Sequence, residues 1–471
     1  MSNDLNRLFK IDIEPTFVSL ETSMHPFDIF KRLRDEFSDI FIFESLEGPQ
    51  ELVESSIMGF DPKYKIKCNT NTLLVYNNND RILRKFSITD PIDTLKNCFP
   101  IINNKDYRYV GGLVGYFCYE AIKYWEKINV KSNTSFPILE FGFFDDGLVY
   151  DHMKKRLEYF FYGKSRIETI TKIMKSKTKI PRKYDSTFSK PKRSMKKKSF
   201  ENKVNQIKDH LSAGDIFQTV LSKKIKFTFK GNHMQLYEEL RKINPSPYMF
   251  YYKTGSRILL GSSPEMLLRI TGDQVETYPI AGSRPVSVDK EITERFRREL
   301  LKDQKEIAEH TMLVDLARND LGKVCQFGSV ITSELMKVKK FSHIQHLVSH
   351  VEGILDKKYD SFDAFRAVFP AGTISGAPKI RAMEIINDLE PESRGPYAGA
   401  VGYFSFNRSC DFAITIRSMF FNKKNAFTQS GAGIVIDSVP DKEYQETEDK
   451  SHAILSTLKA FEKTEIKTSI N

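Results

Sequence analysis

The chain has 471 residues, 40% of them hydrophobic and 28% charged, enough to bury one large core or two to three ordinary ones, which excludes a disordered protein and a small disulfide-stapled one. No run approaches the ~18 uninterrupted apolar residues of a membrane span and residues 1–10 carry no apolar signal-like segment, so a cytoplasmic protein without a membrane partner is expected. The net charge of +11 invites a nucleic-acid reading, yet residues 164–198 hold 14 Lys and Arg against Glu168 and Asp185, a net +12 that leaves the remainder at −1.

That basic segment, with Pro181, Pro191 and only Tyr184 and Phe188 as stacking surfaces, reads as a partly mobile connector over 163–199. No nucleic-acid partner is expected. Five scattered cysteines (Cys68, Cys98, Cys118, Cys325, Cys410) without a C-x-x-C pair read as buried thiols, not as a disulfide framework or a zinc site.

In chain order, 26–37 has amphipathic helical spacing and 40–45 is a strand with a polar end. Ile57-Met-Gly-Phe-Asp-Pro62 and Gly111-Gly-Leu-Val-Gly-Tyr-Phe117, the latter ahead of a helix at 119–126, return in the same order as Leu259-Leu-Gly-Ser-Ser-Pro264 and Ala398-Gly-Ala-Val-Gly-Tyr-Phe404. This repeat predicts two related halves loosened by insertion. Three regions follow: an N-terminal regulatory or scaffold half over 1–162, the connector, and a catalytic half over 200–465. Within the last, strands at 258–260, 274–279, 412–420 and 433–437 mix with helices at 200–211, 234–242, 292–302, 305–321, 361–368, 378–389 and 440–461. They do so without βαβ alternation, so the fold class is α+β.

The 305–321 helix is apolar most of the way round, and Gly322 stands where a left-handed C-cap is wanted. Glu309 lies between Met312, Leu313 and Leu316, where a carboxylate needs an answer: a salt bridge, or a metal or substrate. Asp315 and Arg318 read as a surface pair. On the last helix Glu446 and Lys450 make an i,i+4 pair, while Glu443 and Glu446 share a face. With Glu309 brought opposite, these carboxylates form a plausible magnesium site.

Gly372-Thr-Ile-Ser-Gly-Ala-Pro-Lys379 has the wrong spacing for a phosphate loop and reads as a tight turn presenting Thr373 ahead of a helix. Gly431-Ala-Gly433 reads either as a strand-entry turn or as a backbone nest for a carboxylate. Arg417, inside a strand, needs an anion, either a substrate carboxylate or an internal Asp or Glu. His346 alone reads as a core histidine.

Together, Pro279-Ile-Ala-Gly-Ser-Arg-Pro285, Lys305-Glu-x-x-Glu-His310, Leu313-Val-Asp-Leu-Ala-Arg-Asn-Asp320, the 372–379 motif and Ser430-Gly-Ala-Gly-Ile-Val435 resemble the chorismate-utilising enzymes, most closely their anthranilate synthases. The resemblance implies a four-layer α/β/β/α fold with two orthogonally packed, antiparallel-rich sheets, and conversion of chorismate and ammonia to anthranilate and pyruvate in tryptophan biosynthesis. It further implies Mg2+ on Glu309 and Glu446, with Glu443 reaching it through water. Chorismate would be bound by Gly282, Ser283, Tyr397, Arg417, Gly431, Ala432, Gly433 and Lys450, and flanked by His346 and Thr373. His346 would handle protons near neutral pH.

Ser283 stands where the family usually has threonine. Relatives making aminodeoxychorismate or isochorismate generally carry lysine at the position of Ala281, so these activities are the alternative, with a non-enzymatic basic interaction protein behind them. No cysteine has the setting of a glutaminase nucleophile, so ammonia would come from an amidotransferase subunit in a hetero-oligomer. Phe43-Glu-Ser45 and Asn244-Pro-Ser-Pro-Tyr-Met-Phe250 resemble the family's tryptophan-contacting segments. Glu44 would meet the ammonium group, Ser45 would add a hydrogen bond, and Pro247, Tyr248 and Met249 would wall the indole.

Overall fold

The computed structural model describes residues 9–11, 13–48, 54–176, 186–341 and 344–461. Two large antiparallel sheets form its centre, and the two halves of the chain each supply about half of both. In the first sheet the seam is Ile40–Glu44 against Tyr248–Thr254. Outward from it, Ser55–Phe60 on one side answers Arg257–Ser263 on the other, Asp146–Asp151 answers Ser418–Asn422, Arg156–Phe161 answers Asn425–Ile434, and Thr16–Leu20 answers Gln218–Lys230. In the second sheet Gly112–Phe117 and Ala400–Ser405, the two Gly-Tyr-Phe strands, lie side by side with Gly115 opposite Gly402. Leu139–Phe144 then answers Cys410–Ile414, Tyr64–Asn69 answers Met266–Thr271, and Thr72–Asn77 answers Gln274–Thr277. The repeat is therefore real as topology: related strands meet across a two-fold seam in each sheet.

The layers follow from the period-2 alternation of strands. Tyr116 points into the space between the sheets, its ring centroid 6.2 Å from that of Tyr252. Phe117 points the other way, 4.4 Å from Phe365 of the Ser361–Val368 helix. Likewise Phe41 meets Phe144 of the second sheet at 4.9 Å, while its neighbour Ile42 packs with Phe30, Ile170, Leu240 and Ile454. Those residues belong to the helices Pro26–Glu36, Ile167–Lys175, His233–Ile243 and Pro440–Lys459, which cover the outer face of the first sheet. The expected α+β, four-layer arrangement is what forms.

Four local expectations change. The stretch after Phe117 is a 3₁₀ helix, Tyr119–Tyr124. The central helix Gln304–Gly322 is capped at its start by Asp303, but Gly322 is helical and exposed and Lys323 caps it in a right-handed conformation, so no left-handed glycine ends it. Nor is that helix buried all round: His310, Leu313, Val314 and Leu321 pack inward while Lys305, Thr311, Asp315 and Arg318 face solvent. Its Asp315–Arg318 pair is the expected exposed ion pair, at 3.3 Å.

The basic connector is folded wherever it is described, residues 177–185 lying outside the described set. Ile170, Ile173 and Met174 bury one face of the Ile167–Lys175 helix, Arg166 pairs with Asp61 at 3.1 Å, and Thr187–Phe188 and Lys192–Arg193 pair with the strand Gln218–Lys230. All five cysteines are buried and free, as expected. Among the described residues no helix is long and apolar enough to cross a membrane.

Candidate active site

A cleft of about 640 Å3 opens between the Gln304–Gly322 helix, the strands Ile280–Pro285, Gln218–Lys230 and Asn425–Ile434, and the Pro440–Lys459 helix. Gly282, Ser283, Glu309, His346, Thr373, Tyr397 and Arg417 line it, as do Gly431, Gly433, Glu443, Glu446 and Lys450. Residues scattered over more than 160 positions thus converge as the motif set anticipated. Ala432 does not join them. Gly431–Gly433 lies inside the strand Asn425–Ile434, not at its entry. Alternation therefore turns the Ala432 methyl to the opposite face, where it packs in a separate apolar cluster with Phe200, Leu221 and Ala382.

Two glycines are needed for the walls. Gly282 has φ +63°, and a Cβ there would meet Leu300 Cδ1 at 2.9 Å and Glu306 Oε2 at 3.1 Å. A Cβ at Gly433 would meet Gln218 Nε2 at 2.5 Å.

Arg417 departs from its expected place within a strand. The chain leaves the second sheet at Ile414 and enters the first at Ser418, and Arg417 sits in this crossing with φ 49°, a conformation uncommon for a non-glycine residue. Among the described residues it has no ion-pair partner within 4 Å. Burial lowers the proton affinity of its guanidinium, and the Glu265 carboxyl opposes that shift. An under-compensated arginine facing a cleft calls for an anion.

Glu265 itself was missed from sequence: it follows Leu259-Leu-Gly-Ser-Ser-Pro264 by one residue, immediately beyond the repeated motif. It lines the cleft and is only 6% exposed. Burial pushes its carboxyl up to about 7, against the opposing pull of the Thr373 hydroxyl, Arg417 and Lys450.

His346 departs from the expectation of titration near neutral pH. Its Nδ1 lies 2.8 Å from the Gly282 carbonyl oxygen, which can only accept, so Nδ1 carries the hydrogen and Nε2 is bare. Burial, with Arg417 and Lys450 nearby, pushes its pKa down to about 4. At pH 7 it is a neutral acceptor, with Nε2 unpartnered among the described residues.

The acidic pole lies at the other side. Glu309 Oε1 accepts a hydrogen bond from Gln218 Nε2 at 2.6 Å. Its proton affinity is raised first by burial and then by Glu306 and Glu446, with Gln218 opposing. Glu443 is raised by burial and by Glu446, with Ser438 opposing. Glu446 and Lys450 form the expected i,i+4 pair at 2.7 Å, both nearly half exposed. Lys450 Nζ also donates to the Gly431 carbonyl at 3.0 Å.

A second, smaller cavity of about 60 Å3 lies where the halves meet, lined by Phe43, Glu44, Ser45, Glu54, Arg108 and Pro247 on one side and by Tyr248, Met249, Arg269, Tyr403 and Asp411 on another. Here too alternation corrects the expected roles. Glu44 and Met249 are opposite one another across the seam, and both side chains turn to the outer helices. The Glu44 carboxylate is fully buried and taken by Arg241 Nε at 2.7 Å, Arg241 Nη2 at 3.0 Å and the Tyr237 hydroxyl at 2.8 Å. Glu44 lines the pocket, but its carboxylate is already held by these three donors. The carboxylates that do face it are Asp411, 2.9 Å from Arg269 Nε, and Glu54, 2.5 Å from Arg108 Nη2.

Residues 38–456 match the family model of the chorismate binding enzymes. The chain is 43% identical to the anthranilate synthase component 1 of Methanothermobacter thermautotrophicus, over 92% of each chain. It is 40% identical to that of Saccharolobus solfataricus, over 92% of this chain and 97% of the relative. Among solved structures it superposes on anthranilate synthase component I from Streptococcus pneumoniae with a TM-score of 0.76 and 33% identity, covering 87% of this chain and 93% of that one. The menaquinone-specific isochorismate synthase of Escherichia coli shares the fold at TM-score 0.72 and 17% identity. On the match over 38–456 and these identities, the chain belongs to the chorismate-binding enzyme family.

Proposed function

We propose that this chain is the chorismate-converting component of an anthranilate synthase, acting in the cytoplasm on chorismate and ammonia. Among chorismate chemistries, the observation that carries this reading is Ala281 on the cleft wall. A methyl group there is neither nucleophile nor base, so the lysine-dependent route to aminodeoxychorismate or isochorismate has no group to run on. A basic interaction protein is disfavoured because Arg166, Arg193 and Lys197 are spent on Asp146, Glu448 and Asp441.

Magnesium fits the acidic pole in a specific sense. Among the described residues no three His, Cys, Asp or Glu side chains cage an ion. Magnesium, however, commonly takes one or two carboxylates and fills its octahedron with water and substrate oxygens. Glu309, Glu443 and Glu446 line one side of the cleft, and the proton affinities of Glu309 and Glu443 are raised first by burial and then by their acidic neighbours, a donor set whose chemistry suits a cation. Glu309 and Glu446 would hold the ion and Glu443 would reach it through water, the exposed Glu446–Lys450 pair opening at little cost. Bound there, magnesium supplies fixed positive charge against the ring carboxylate.

The chain's own groups do the rest. Arg417 and Lys450 receive substrate carboxylate charge, Tyr397 closes the inner wall, and the backbone of Gly431 and Gly433 lines the cleft beside the substrate. Ammonia's nitrogen bonds to ring C2, the double bonds shift round the ring, the C4–O bond breaks, and the added nitrogen releases one proton to water. Glu265, protonated below about 7, gives its proton to the departing hydroxyl, which leaves as water. In the second step the bare Nε2 of His346 takes the C2 proton, the C3–O bond breaks beside Thr373, and the enolate of pyruvate leaves with the bonding pair and takes up a proton at its methylene carbon.

The ammonia must come from another polypeptide. Burial pushes the thiols of Cys68 and Cys325 up to about 11 and Cys98 up to about 12, and raises Cys118 and Cys410 as well, so none is a thiolate nucleophile at neutral pH. A glutaminase subunit is the proposed partner. The seam pocket is the proposed site of tryptophan feedback, with Ser45, Pro247 and Tyr248 as walls and Asp411 or Glu54, in place of Glu44, answering the ammonium group. Product identification after incubation with chorismate and magnesium tests the reading. Ammonium should support anthranilate formation and glutamine should not, and Ala281→Lys should abolish or divert it. Isochorismate from the wild-type chain would sink the proposal.

A further inference from the structure

Away from both cavities, three adjoining strands of the second sheet carry a hydroxyl, a base and an acid in series. The strand Ile331–Lys340 pairs with Ile344–Ile354, which in turn pairs with Gln274–Thr277. Ser333 Oγ lies 2.9 Å from His350 Nδ1, and His350 Nε2 lies 3.0 Å from Glu276 Oε1. None of the three lines the cleft or the seam pocket. A carboxylate only accepts, so Glu276 takes the Nε2 hydrogen. In the neutral ring Nδ1 is then bare and accepts from the Ser333 hydroxyl.

The register explains how they meet. Thr332 stands opposite Val351 and Glu334 opposite His350, so Ser333 is the extra residue of a bulge. Regular alternation would turn Ser333 away from the face that Glu334 shares with His350, and the bulge brings it back. Glu276 stands opposite Glu352, two residues from His350 and therefore on the same face. Ser333 is exposed, whereas the His350 and Glu276 side chains are each 14% exposed. Tyr278 stacks on the imidazole, with centroids 4.3 Å and planes 7° apart, and fixes the ring between its two partners. Burial raises the proton affinity of Glu276, but His350, Arg269 and Arg108 outweigh it, so the carboxyl is held below its usual range and stays charged. With Glu276, Glu334 and Glu352 on this face, a neutral substrate is favoured over an anion. Ile331, opposite Glu352 and 53% exposed, offers apolar contact to an acyl group.

We propose that Ser333, His350 and Glu276 form a second site, which hydrolyses small neutral carboxylic esters. Ser333 Oγ bonds to the ester carbonyl carbon as its proton passes to His350 Nδ1. The bond from that carbon to the alcohol oxygen breaks, and the alcohol leaves with the proton. Water then attacks the acyl-serine and gives its proton to Nδ1, which returns it to Ser333 Oγ as the carboxylic acid departs. The probes are diisopropyl fluorophosphate, which loses fluoride to an activated hydroxyl, and para-nitrophenyl acetate. The diisopropyl phosphoryl group should appear on Ser333 by peptide mass spectrometry, and should not appear on the urea-unfolded chain. Ser333→Ala, at an exposed position, should keep its melting temperature and lose both the label and the acetate turnover. His350→Gln should slow both reactions about 10²-fold, and Glu276→Gln is the second variant should that one not fold. No label on Ser333, or labelling equally fast in the His350→Gln or Glu276→Gln chain, would overturn the proposal.

Discussion

The cleft and the seam pocket are both lined by arginine and carboxylate side chains and differ in how far those charges are already answered. In the pocket Glu44 holds Arg241, Arg269 holds Asp411 and Arg108 holds Glu54, and Asp411 Oδ1 alone of these carboxylate oxygens is buried without a hydrogen-bond partner among the described residues. In the cleft Arg417 has no ion-pair partner among the described residues, Glu309, Glu443 and Glu265 all have raised proton affinities, and Gln218 Oε1 and His346 Nε2 have no partner among the described residues. Unanswered groups cost stability and are kept where a substrate completes them. Satisfied groups hold a shape that a ligand then biases.

Substitutions separate the two regions by size of effect. Glu309→Gln keeps volume and removes charge at the acidic pole, so turnover should fall about 10³-fold. Calorimetric magnesium binding should weaken with it while the melting temperature holds. A loss of fold with unchanged metal dependence would make Glu309 a structural carboxylate after all.

Glu265→Gln should cost about 10²-fold or more in kcat, the usual worth of a positioned proton donor. The sign in pH is set by burial: a carboxyl held up at about 7 is protonated below that value and loses its proton above it. The wild-type kcat should therefore decline as pH rises through about 7, and the variant should lack that limb. A variant profile that kept it would assign the titration elsewhere.

Removing the bare nitrogen with His346→Met should slow the second step about 10²-fold. The amino intermediate, still carrying its enolpyruvyl group, should then accumulate and be visible by mass spectrometry. Uniform slowing without it would place His346 in the first step.

The pocket should respond differently. Glu44→Gln leaves Arg241 buried beside a neutral amide and should cost about 3 kcal/mol of stability, read by denaturant unfolding, with turnover near normal at low temperature. Ser45→Phe, which adds bulk on the pocket side of the strand, should relieve tryptophan inhibition and change uninhibited turnover by less than about twofold. Full sensitivity in that variant would move the regulatory site elsewhere.

How much of this was legible before the structure depended on what local spacing encodes. The repeated glycine motifs showed two halves, and the structure turns that into paired strands across two seams. The helix of Glu309, the two acids of the last helix and the histidine strand were visible as a set because they lie in dense motifs. Side-chain direction was not. A strand's alternation is local, but which face meets the pocket depends on partners some 200 positions away, and so the spacing alone does not show that the Glu44 and Met249 side chains turn to the outer helices. The Arg417 stretch looked like one apolar strand because both sheets bury their inner faces and the crossing between them leaves no glycine or proline. Glu265 and Gln218 were passed over because nothing next to either in sequence announces burial against charge; each acquires its role only from the strand or helix packed upon it.

One time course tests the anthranilate synthase assignment most directly: anthranilate fluorescence from the wild-type chain with chorismate, magnesium and ammonium, with tryptophan added midway. The signal should grow steadily without any partner polypeptide and stop when tryptophan is added. No anthranilate would contradict the assignment of the cleft, and growth indifferent to tryptophan would contradict that of the pocket.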